Sequence, residues 1–203
     1  MDNNSKQVCL NYRTNEGYEV VVLKKISSDR LLIEFQDNYR HRREVDRSAL
    51  RIGSVKNPFH RRAHGVGFIG VGKFLSSKNG KPVKEYKAWV RMIERCYSNK
   101  LHDRYPTYKN CTVHPDWHDY QAFAKWYTSQ KYYDLDYALD KDLLVRGNKV
   151  YSEDNCCLLP AEINGLVEKL SSVSAIKIAA KWRGHINDRV YHALMNWTVA
   201  DNN

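Results

Sequence analysis

The residues with the clearest chemical potential are Asp140 and Asp142, which flank Lys141. If this stretch is a regular strand, both carboxylates point the same way, because strand side chains alternate with a period of two. Two carboxylates together can bind a hard divalent cation such as Mg²⁺ or Mn²⁺. The alternative is a surface strand with a local Asp–Lys–Asp charge pattern and only weak ion pairs.

The segment 139–170 resembles the HNH endonucleases that are widespread in phages and have a ββα-metal fold. The matching residues are Leu139-Asp140-Lys141-Asp142, Gly147-Asn148-Lys149-Val150-Tyr151-Ser152, Asn155-Cys156 and Ile163-Asn164. An aromatic stretch before them, between Trp89 and Trp126, is also similar to what accompanies such modules. The resemblance covers about residues 65–165.

The resemblance implies a nuclease that hydrolyses DNA phosphodiester bonds with one divalent metal ion, Mg²⁺ or Mn²⁺. Its implied metal ligands are Asp140, Asp142 and Asn164, and Asn148 is the residue that orders the hairpin. The family's general base is a His on the first strand, but Lys141 stands at that position. Two neighbouring carboxylates hold a lysine protonated, which is the wrong state for a base.

No histidine occurs between His118 and His185, so the base has to come from elsewhere. Either His114 or His118 folds back onto the site, or metal-activated water serves alone. The alternative hypothesis is an HNH-like scaffold without catalysis, acting as a DNA-binding module or binding a host protein. A structural RNA-binding protein is a weaker third hypothesis, because no RNA-module signature is present.

Two further motifs have simpler interpretations. Cys96, Cys111, His114 and His118 have spacing suggestive of zinc, but no CxxC knuckle is present and Cys96 lies on an apolar stripe, so we expect no zinc site. The segment Gly65–Gly70 matches G-x-G-x-x-G without the preceding strand and following helix of a dinucleotide site. We expect close-packed turns or a backbone approach to phosphate there.

The strands and helices that the apolar patterns indicate predict an α+β fold, and these elements must position the candidate site residues. A small N-terminal antiparallel sheet or barrel is expected over 18–55, with one or two strands in Val45–Val55. A hairpin over 66–83 turns at Asn79-Gly80. Amphipathic helices are expected over 85–97 and over 117–130, the second capped by Asp116. The order strand, turn, strand, helix follows in 139–170, with strands over 139–144 and 149–151 and a helix over 160–170.

The predicted organisation is a β domain over 1–58, an HNH-like module over 59–170 and a helical tail over 171–203. The net charge is +10, from 33 basic and 23 acidic residues, and all of the excess lies before residue 139. Such an excess attracts polyanions. We therefore predict that duplex DNA is the partner. The predicted contact residues are Arg40, Arg42, Arg43, Arg47, Arg61, Arg62, Lys87, Arg91 and Arg95.

Composition argues against disordered, membrane-spanning and secreted proteins. The apolar fraction of 42% argues against disorder, and no stretch approaches the length of a membrane span. The polar N-terminus lacks a signal peptide pattern. We therefore expect a cytoplasmic protein, in the host cell if phage-encoded, with no membrane partner. Its five cysteines, Cys9 included, are expected to be free thiols.

Overall fold

The computed structural model describes residues 11–198, so residues 1–10, with Cys9, and residues 199–203 lie outside the described part of the chain. The chain forms two compact units, Met1–His60 and Arg61–Asn203. Both units combine helices with antiparallel strands, and the predicted α+β class is confirmed.

The first unit is built on a four-stranded antiparallel sheet in the order β1-β2-β3-β4. Its elements are β1 Asn11–Arg13, β2 Glu19–Lys25, β3 Arg30–Phe35, β4 Arg42–Asp46 and α1 Arg47–Arg51. The β-branched run of β2 and the apolar run of β3 predicted these strands. The sheet residues Val20, Ile33 and Phe35 are fully buried. They lie in one hydrophobic cluster with Leu50 of α1.

Of the two predicted N-terminal alternatives, the open sheet is the one that forms, with β1 and β4 at its edges and no barrel closure. One detail of the prediction is wrong. Residues 47–51 form α1 instead of a strand. The physical reason is that Leu50 is the one buried residue of α1, and a single helical turn suffices to bring it into the core.

Over residues 61–198, the second unit contains six α-helices, three short 3-10 helices and three two-stranded sheets. Its strands are β5 Ser77–Lys78, β6 Lys81–Pro82, β7 Thr112–Val113, β8 Tyr137–Asp140, β9 Val150–Tyr151 and β10 Cys157–Pro160. Its α-helices are α2 Lys84–Tyr97, α3 Asn99–Arg104, α4 Tyr120–Ser129, α5 Ala161–Asn164, α6 Ser172–Lys181 and α7 Asp188–Met195. Short 3-10 helices span Pro106–Tyr108, Pro115–His118 and Val167–Lys169. The predicted turn at Asn79-Gly80 is confirmed between β5 and β6.

The helix α2 matches its predicted amphipathic pattern. Trp89, Met92 and Ile93 are fully buried, and the Trp89 indole donates a hydrogen bond to the Trp117 carbonyl at 2.8 Å.

The helix α4 begins at Tyr120, three residues later than predicted. Its N-cap is Asp119, which accepts from the Gln121 amide at 2.8 Å, so the predicted cap Asp116 is wrong. Pro115 starts a separate 3-10 turn before this cap.

The glycine-rich segment Gly65–Gly70 packs tightly against the helices. This is the first of its two predicted uses, close-packed turns. The Phe68 amide donates to the His118 carbonyl at 2.9 Å, and the Tyr120 amide donates to the Phe68 carbonyl at 3.0 Å. A Cβ on Gly67 would lie 2.6 Å from the Trp89 ring. Only a residue without a side chain allows this approach.

Replacing Gly67 with alanine should therefore destabilise the second unit. The added methyl group meets a fully buried and hydrogen-bonded indole, and overpacking of this kind costs about 1–3 kcal/mol. Gly165→Ala is the matched control, because its nearest neighbour would be the Ala161 carbonyl at 3.5 Å. Thermal or urea unfolding of both variants checks the expectation. Equal stability of the two variants would contradict the close packing.

The predicted pairing of strands in 139–170 is wrong. The strand β8 pairs antiparallel with β10, with Asp140 opposite Cys157. The predicted return strand around Val150-Tyr151 exists as β9, but it pairs in parallel with β7. The predicted helix over 160–170 is reduced to α5 and the 3-10 turn Val167–Lys169. A local strand–turn–strand hairpin therefore does not form.

The tail is helical and contributes to the core of the second unit. Ala175, Ala179, Val190 and Leu194 are fully buried in one cluster with residues of β10 and α5. The four described cysteines are free, as predicted, and all four are buried. Among residues 11–198, we find no helix with the length and hydropathy that a bilayer crossing requires.

Candidate nucleic-acid interface and the Asp140–Asp142 cavity

A row of cations follows one face of α2. Lys84, Lys87, Arg91 and Arg95 are spaced by three or four residues, which places them along one side of a helix. The first three are exposed and Arg95 is half-buried. The row is about 16 Å long at 1.5 Å per residue. We call these four residues the α2 basic row.

The α2 basic row lines a cleft of about 270 Å³. The opposite wall of this α2 cleft is the segment leading into β8, from Leu135 to Leu139, with Tyr127 at the side. Asp136 is the one carboxylate in the lining. None of the ion pairs found among the described residues includes a cation of the row. The lining of the cleft therefore carries a net positive charge.

Arg95 also lines a second cavity, of about 170 Å³, that contains the predicted metal ligands. Asp140, Lys141, Asp142 and Asn164 all lie in its lining, so the structure brings the predicted metal ligands into one place. We call it the Asp140–Asp142 cavity. Arg95 lies 5.5 Å from the centroid of the Tyr108 ring, which lines the same cavity. The α2 cleft and this cavity thus share a cationic wall.

A third cavity, of about 340 Å³, continues from the second and shares Tyr108, Lys141 and Asp142 with it. Arg146 and Lys149 add two exposed cations to its lining. Arg146 stacks on the Trp197 ring at 5.5 Å. With Asp142 and Glu168 also in the lining, this cavity carries three cations against two carboxylates and is only weakly positive.

The Asp140 carboxylate is buried and directed at the backbone. Its Oδ1 accepts hydrogen bonds from the Asp142 amide at 3.0 Å and from the Leu143 amide at 2.7 Å. These bonds end β8 at Asp140, so the predicted strand over 139–144 is wrong beyond that point. Burial raises the pKa of the Asp140 carboxyl above its usual range, against the lowering effect of the Leu143 hydrogen bond. Asp140 therefore acts as an acceptor that shapes the turn.

An Asp140→Asn variant should be at least as stable as the wild type at neutral pH. The amide oxygen keeps both hydrogen bonds, and the variant lacks a buried charge. Because the folded-state pKa is raised, the wild type loses stability as pH rises from the ordinary carboxyl pKa through the raised one. The variant should lack this dependence.

Asp140→Ala is the comparison, since it leaves two backbone amides without their acceptor. It should cost about 1–3 kcal/mol. Urea unfolding of both variants across mildly acidic to neutral pH measures the difference. A large loss of stability in Asp140→Asn would show that the negative charge itself is needed.

Lys141 and Asp142 form an ion pair inside the cavity. The Lys141 ammonium lies 2.6 Å from Asp142 Oδ1 and 2.7 Å from Oδ2, and it donates to the Asn148 carbonyl at 2.9 Å. The Lys141 side chain is 7% exposed and the Asp142 side chain 29%. Both oxygens of the Asp142 carboxylate are therefore already bound to a cation.

The residues do not fit the divalent metal that the HNH resemblance implies. Asp142 is neutralised by Lys141, and one oxygen of Asp140 is bound to two amides. Among the described residues, no three His, Cys, Asp or Glu side chains are grouped so that they could hold a metal ion. Asn164 lines the cavity, but a single carboxamide is a weak ligand for Mg²⁺ or Mn²⁺.

Asn148 organises the loop between β8 and β9. Its amide nitrogen donates to the Lys141 carbonyl at 3.0 Å and to the Val150 carbonyl at 2.7 Å, and its Oδ1 accepts from the Val150 amide. Asn155 donates to the same Oδ1 at 3.3 Å. These bonds fix the backbone on which the Asn148 carbonyl meets Lys141.

The two predicted histidines lie away from this cavity. His114 is exposed and lines a different cleft with Trp117 and Trp126. The His118 ring lies 3.3 Å from the Tyr97 hydroxyl, and burial lowers its pKa. No histidine is among the described residues that line the cavity.

The zinc ligands considered from the sequence lie in different environments. Cys96 and Cys111 are buried in the aromatic core, whereas His114 is exposed. Burial raises the pKa of the Cys96 thiol to about 12. A thiol with such a pKa stays protonated at neutral pH, whereas zinc binds the thiolate.

The predicted arginines of the first unit are partly engaged. Arg40 and Arg42 both pair with the buried Glu34 carboxylate, at 2.7 and 2.6 Å. Arg43 donates to the Lys56 carbonyl at 3.3 Å, and Arg47 is the first residue of α1. Arg61 and Arg62 begin the second unit. Of the predicted contact residues, Lys87, Arg91 and Arg95 are the ones that the structure brings into one cleft.

Sequence reasoning missed Lys84, Arg146, Lys149 and Lys169, which also line these cavities. The signal for Lys84 is present in the sequence, because it continues the spacing of Lys87, Arg91 and Arg95 by one turn. The other three carry no periodic signal, since they lie in loops and in a 3-10 turn.

No family model, curated protein or solved structure matched this chain.

Proposed function

We propose that the second unit binds duplex DNA through the α2 cleft and the surface beside it. The single observation that carries the proposal is the α2 basic row, four cations on one helix face that line one cleft without ion-pair partners among residues 11–198. Phosphate neutralisation by Lys and Arg supplies most of the affinity of non-specific DNA binding. A 16 Å row spans about five phosphates of one strand along a duplex.

The local surroundings also suit a phosphate backbone. Lys84, Lys87 and Arg91 are exposed. The Lys84 ammonium donates to the Asp134 carbonyl, and none of the three cations is in an ion pair found among the described residues. Tyr137 and Leu135 form the opposite wall and offer apolar surface to sugars. Asp136 is one opposing charge against four cations, so the cleft keeps a net positive potential.

The geometry favours binding over metal-dependent cleavage at Asp140 and Asp142. The observation is the Lys141–Asp142 ion pair, whose ammonium lies against both carboxylate oxygens. In this arrangement Asp140 and Lys141 hold the loop together, and the cavity contributes shape and charge beside the α2 cleft. This is the second hypothesis from the sequence, a DNA-binding module on an HNH-like scaffold.

Fluorescence anisotropy with a labelled duplex tests the proposal at increasing salt. If four cations of the row contact phosphate, log K should fall with log salt at a slope of about −3 to −4. The same slope is expected for unrelated duplex sequences, because phosphate contacts carry no base information. A slope shallower than about −1, or no binding at low salt, would refute the proposal.

A further inference from the structure

A further cleft of the second unit, of about 410 Å³, shares no lining residue with the α2 cleft. Its buried lining residues include Trp117 and Trp126, whose ring centroids lie 4.6 Å apart. Trp126 comes from α4, and Trp117 comes from the 3-10 turn before it. The loop after β9 forms another part of the wall. We call it the Trp117–Trp126 cleft.

The rim of this cleft is acidic. Asp116, Glu153 and Asp154 line it with one ammonium, that of Lys125, so the lining has a net negative charge when histidine is counted as neutral. The whole chain carries +10, so the cleft has the opposite sign. Glu153 and Asp154 are exposed and belong to no ion pair found among the described residues. Their loop is held in place, because the Arg189 guanidinium donates to both of their backbone carbonyls.

Two buried donors of the cleft have no partner. Trp117 is 3% exposed and Trp126 5%, and neither indole N–H makes a hydrogen bond within the described part of the chain. By contrast, the Trp89 and Trp197 indoles each donate to a backbone carbonyl. Within that part of the chain, Trp182 has the one enclosed side-chain nitrogen or oxygen without a partner. The Trp117 and Trp126 N–H groups are therefore open to solvent, and the space that both residues line is this cleft.

An arginine side chain within a peptide matches these features. Its guanidinium stacks on aromatic rings and binds carboxylates through parallel hydrogen bonds. The peptide carbonyls beside it supply the acceptors that the two indole N–H groups lack. A phosphate group would be repelled by the three carboxylates. The volume of about 410 Å³ lies within the usual range of ligand sites, roughly 300–1,000 Å³.

We infer that the Trp117–Trp126 cleft binds an arginine-containing segment of a protein partner. The guanidinium lies against the indole rings and pairs with Glu153 and Asp154, and the indole N–H groups donate to the backbone of the segment. This inference goes beyond DNA binding and does not depend on it. The two clefts share no lining residue, so each is tested separately.

An NMR titration of the isotopically labelled full chain with the peptide Gly-Arg-Gly-Arg-Gly tests the inference, with no nucleic acid present. The indole N–H signals of Trp117 and Trp126 should shift and saturate. Those of Trp89 and Trp197 should stay in place, because their protons are bonded inside the core. The same peptide with citrulline in place of arginine keeps the shape without the charge. It should bind at least about tenfold more weakly, because charge-assisted hydrogen bonds become neutral ones.

A pair of charge-neutralising variants tests the acidic rim. Glu153→Gln/Asp154→Asn should weaken peptide binding about tenfold, because the guanidinium loses two charged acceptors. Glu19→Gln/Glu44→Gln is the matched control, with the same change of net charge on exposed residues of β2 and β4. It should stay within about twofold of the wild type, because salt screens distant charges. Both variants should keep the wild-type circular dichroism spectrum, since all four side chains are exposed.

Three results would overturn the inference. The first is that the Trp117 and Trp126 signals stay unchanged at millimolar peptide, and the second is that the citrulline peptide binds as well as the arginine peptide. The third is that both pairs of substitutions weaken binding equally, which would make net charge the cause. The comparison of the two peptides uses the wild type alone, so it holds whatever the variants do.

Discussion

A Lys87→Glu/Arg91→Glu variant should bind duplex DNA about 100-fold more weakly than the wild type at moderate salt. Both side chains are exposed and line the α2 cleft. Their reversal removes two phosphate contacts and places two negative charges beside the phosphate path. The slope of log K against log salt should also become shallower by about two, since each phosphate contact contributes about one.

Lys125→Glu/Lys177→Glu is the control with the same change of net charge. Lys125 lies on α4 and Lys177 on α6, and both are exposed. Neither residue lines the α2 cleft. The control should weaken binding far less, because only the long-range potential changes and salt screens it. Equal losses in both variants would show that net charge alone, and not the cleft, determines the affinity.

The second large effect concerns stability. Lys141→Ala in metal-free buffer should lower the free energy of unfolding by about 3 kcal/mol. Removal of the Lys141 ammonium leaves the Asp142 carboxylate without a counter-charge and the Asn148 carbonyl without a donor. The value is at the lower end for breaking a buried ion pair, because Asp142 remains 29% exposed and partly hydrated.

Urea unfolding in the presence of a chelator measures this loss. Lys149→Ala should change the free energy of unfolding by less than about 0.5 kcal/mol, as expected for an exposed side chain. Its ammonium donates to the Thr107 carbonyl, at 3.2 Å, on the surface. A Lys141→Ala variant as stable as Lys149→Ala would contradict a structural ion pair at Asp142.

Local patterns predicted much of the fold. The apolar spacing between Tyr86 and Cys96 predicted α2 to within one residue, because a long amphipathic helix has one strong period. The strands β2 and β3 followed from β-branched and apolar runs. The same local reasoning placed Lys87, Arg91 and Arg95 on one helix face, and they line the α2 cleft.

Pairing of short strands was beyond local reasoning. A hairpin between β8 and β9 looked natural because neighbouring strands usually pair. In the structure β9 has only two residues and pairs with β7, while β10 supplies the partner of β8. This pairing of β8 with β10 and of β9 with β7 buries Tyr151 and Leu158 in the aromatic core. It also buries Leu159 in the hydrophobic cluster formed with the C-terminal helices. A two-residue strand carries no pattern from which such burial can be read.

The candidate site shows the same limit. The sequence predicted that Asp140, Asp142 and Asn164 lie near one another, and they line one cavity. Their bonding was not predictable from alternation along a strand, because Asp140 accepts from the Asp142 and Leu143 amides and so ends β8. That turn directs the two carboxylates to different partners.

The most direct test of the central claim is an NMR titration of the isotopically labelled protein with a short duplex. Binding at the α2 cleft predicts amide shift changes that cluster on Lys84–Arg95 and on the facing segment 135–139. These changes should saturate with the duplex and disappear at high salt. Shift changes confined to residues 40–51 of the first unit, or none on α2 at saturation, would contradict the account.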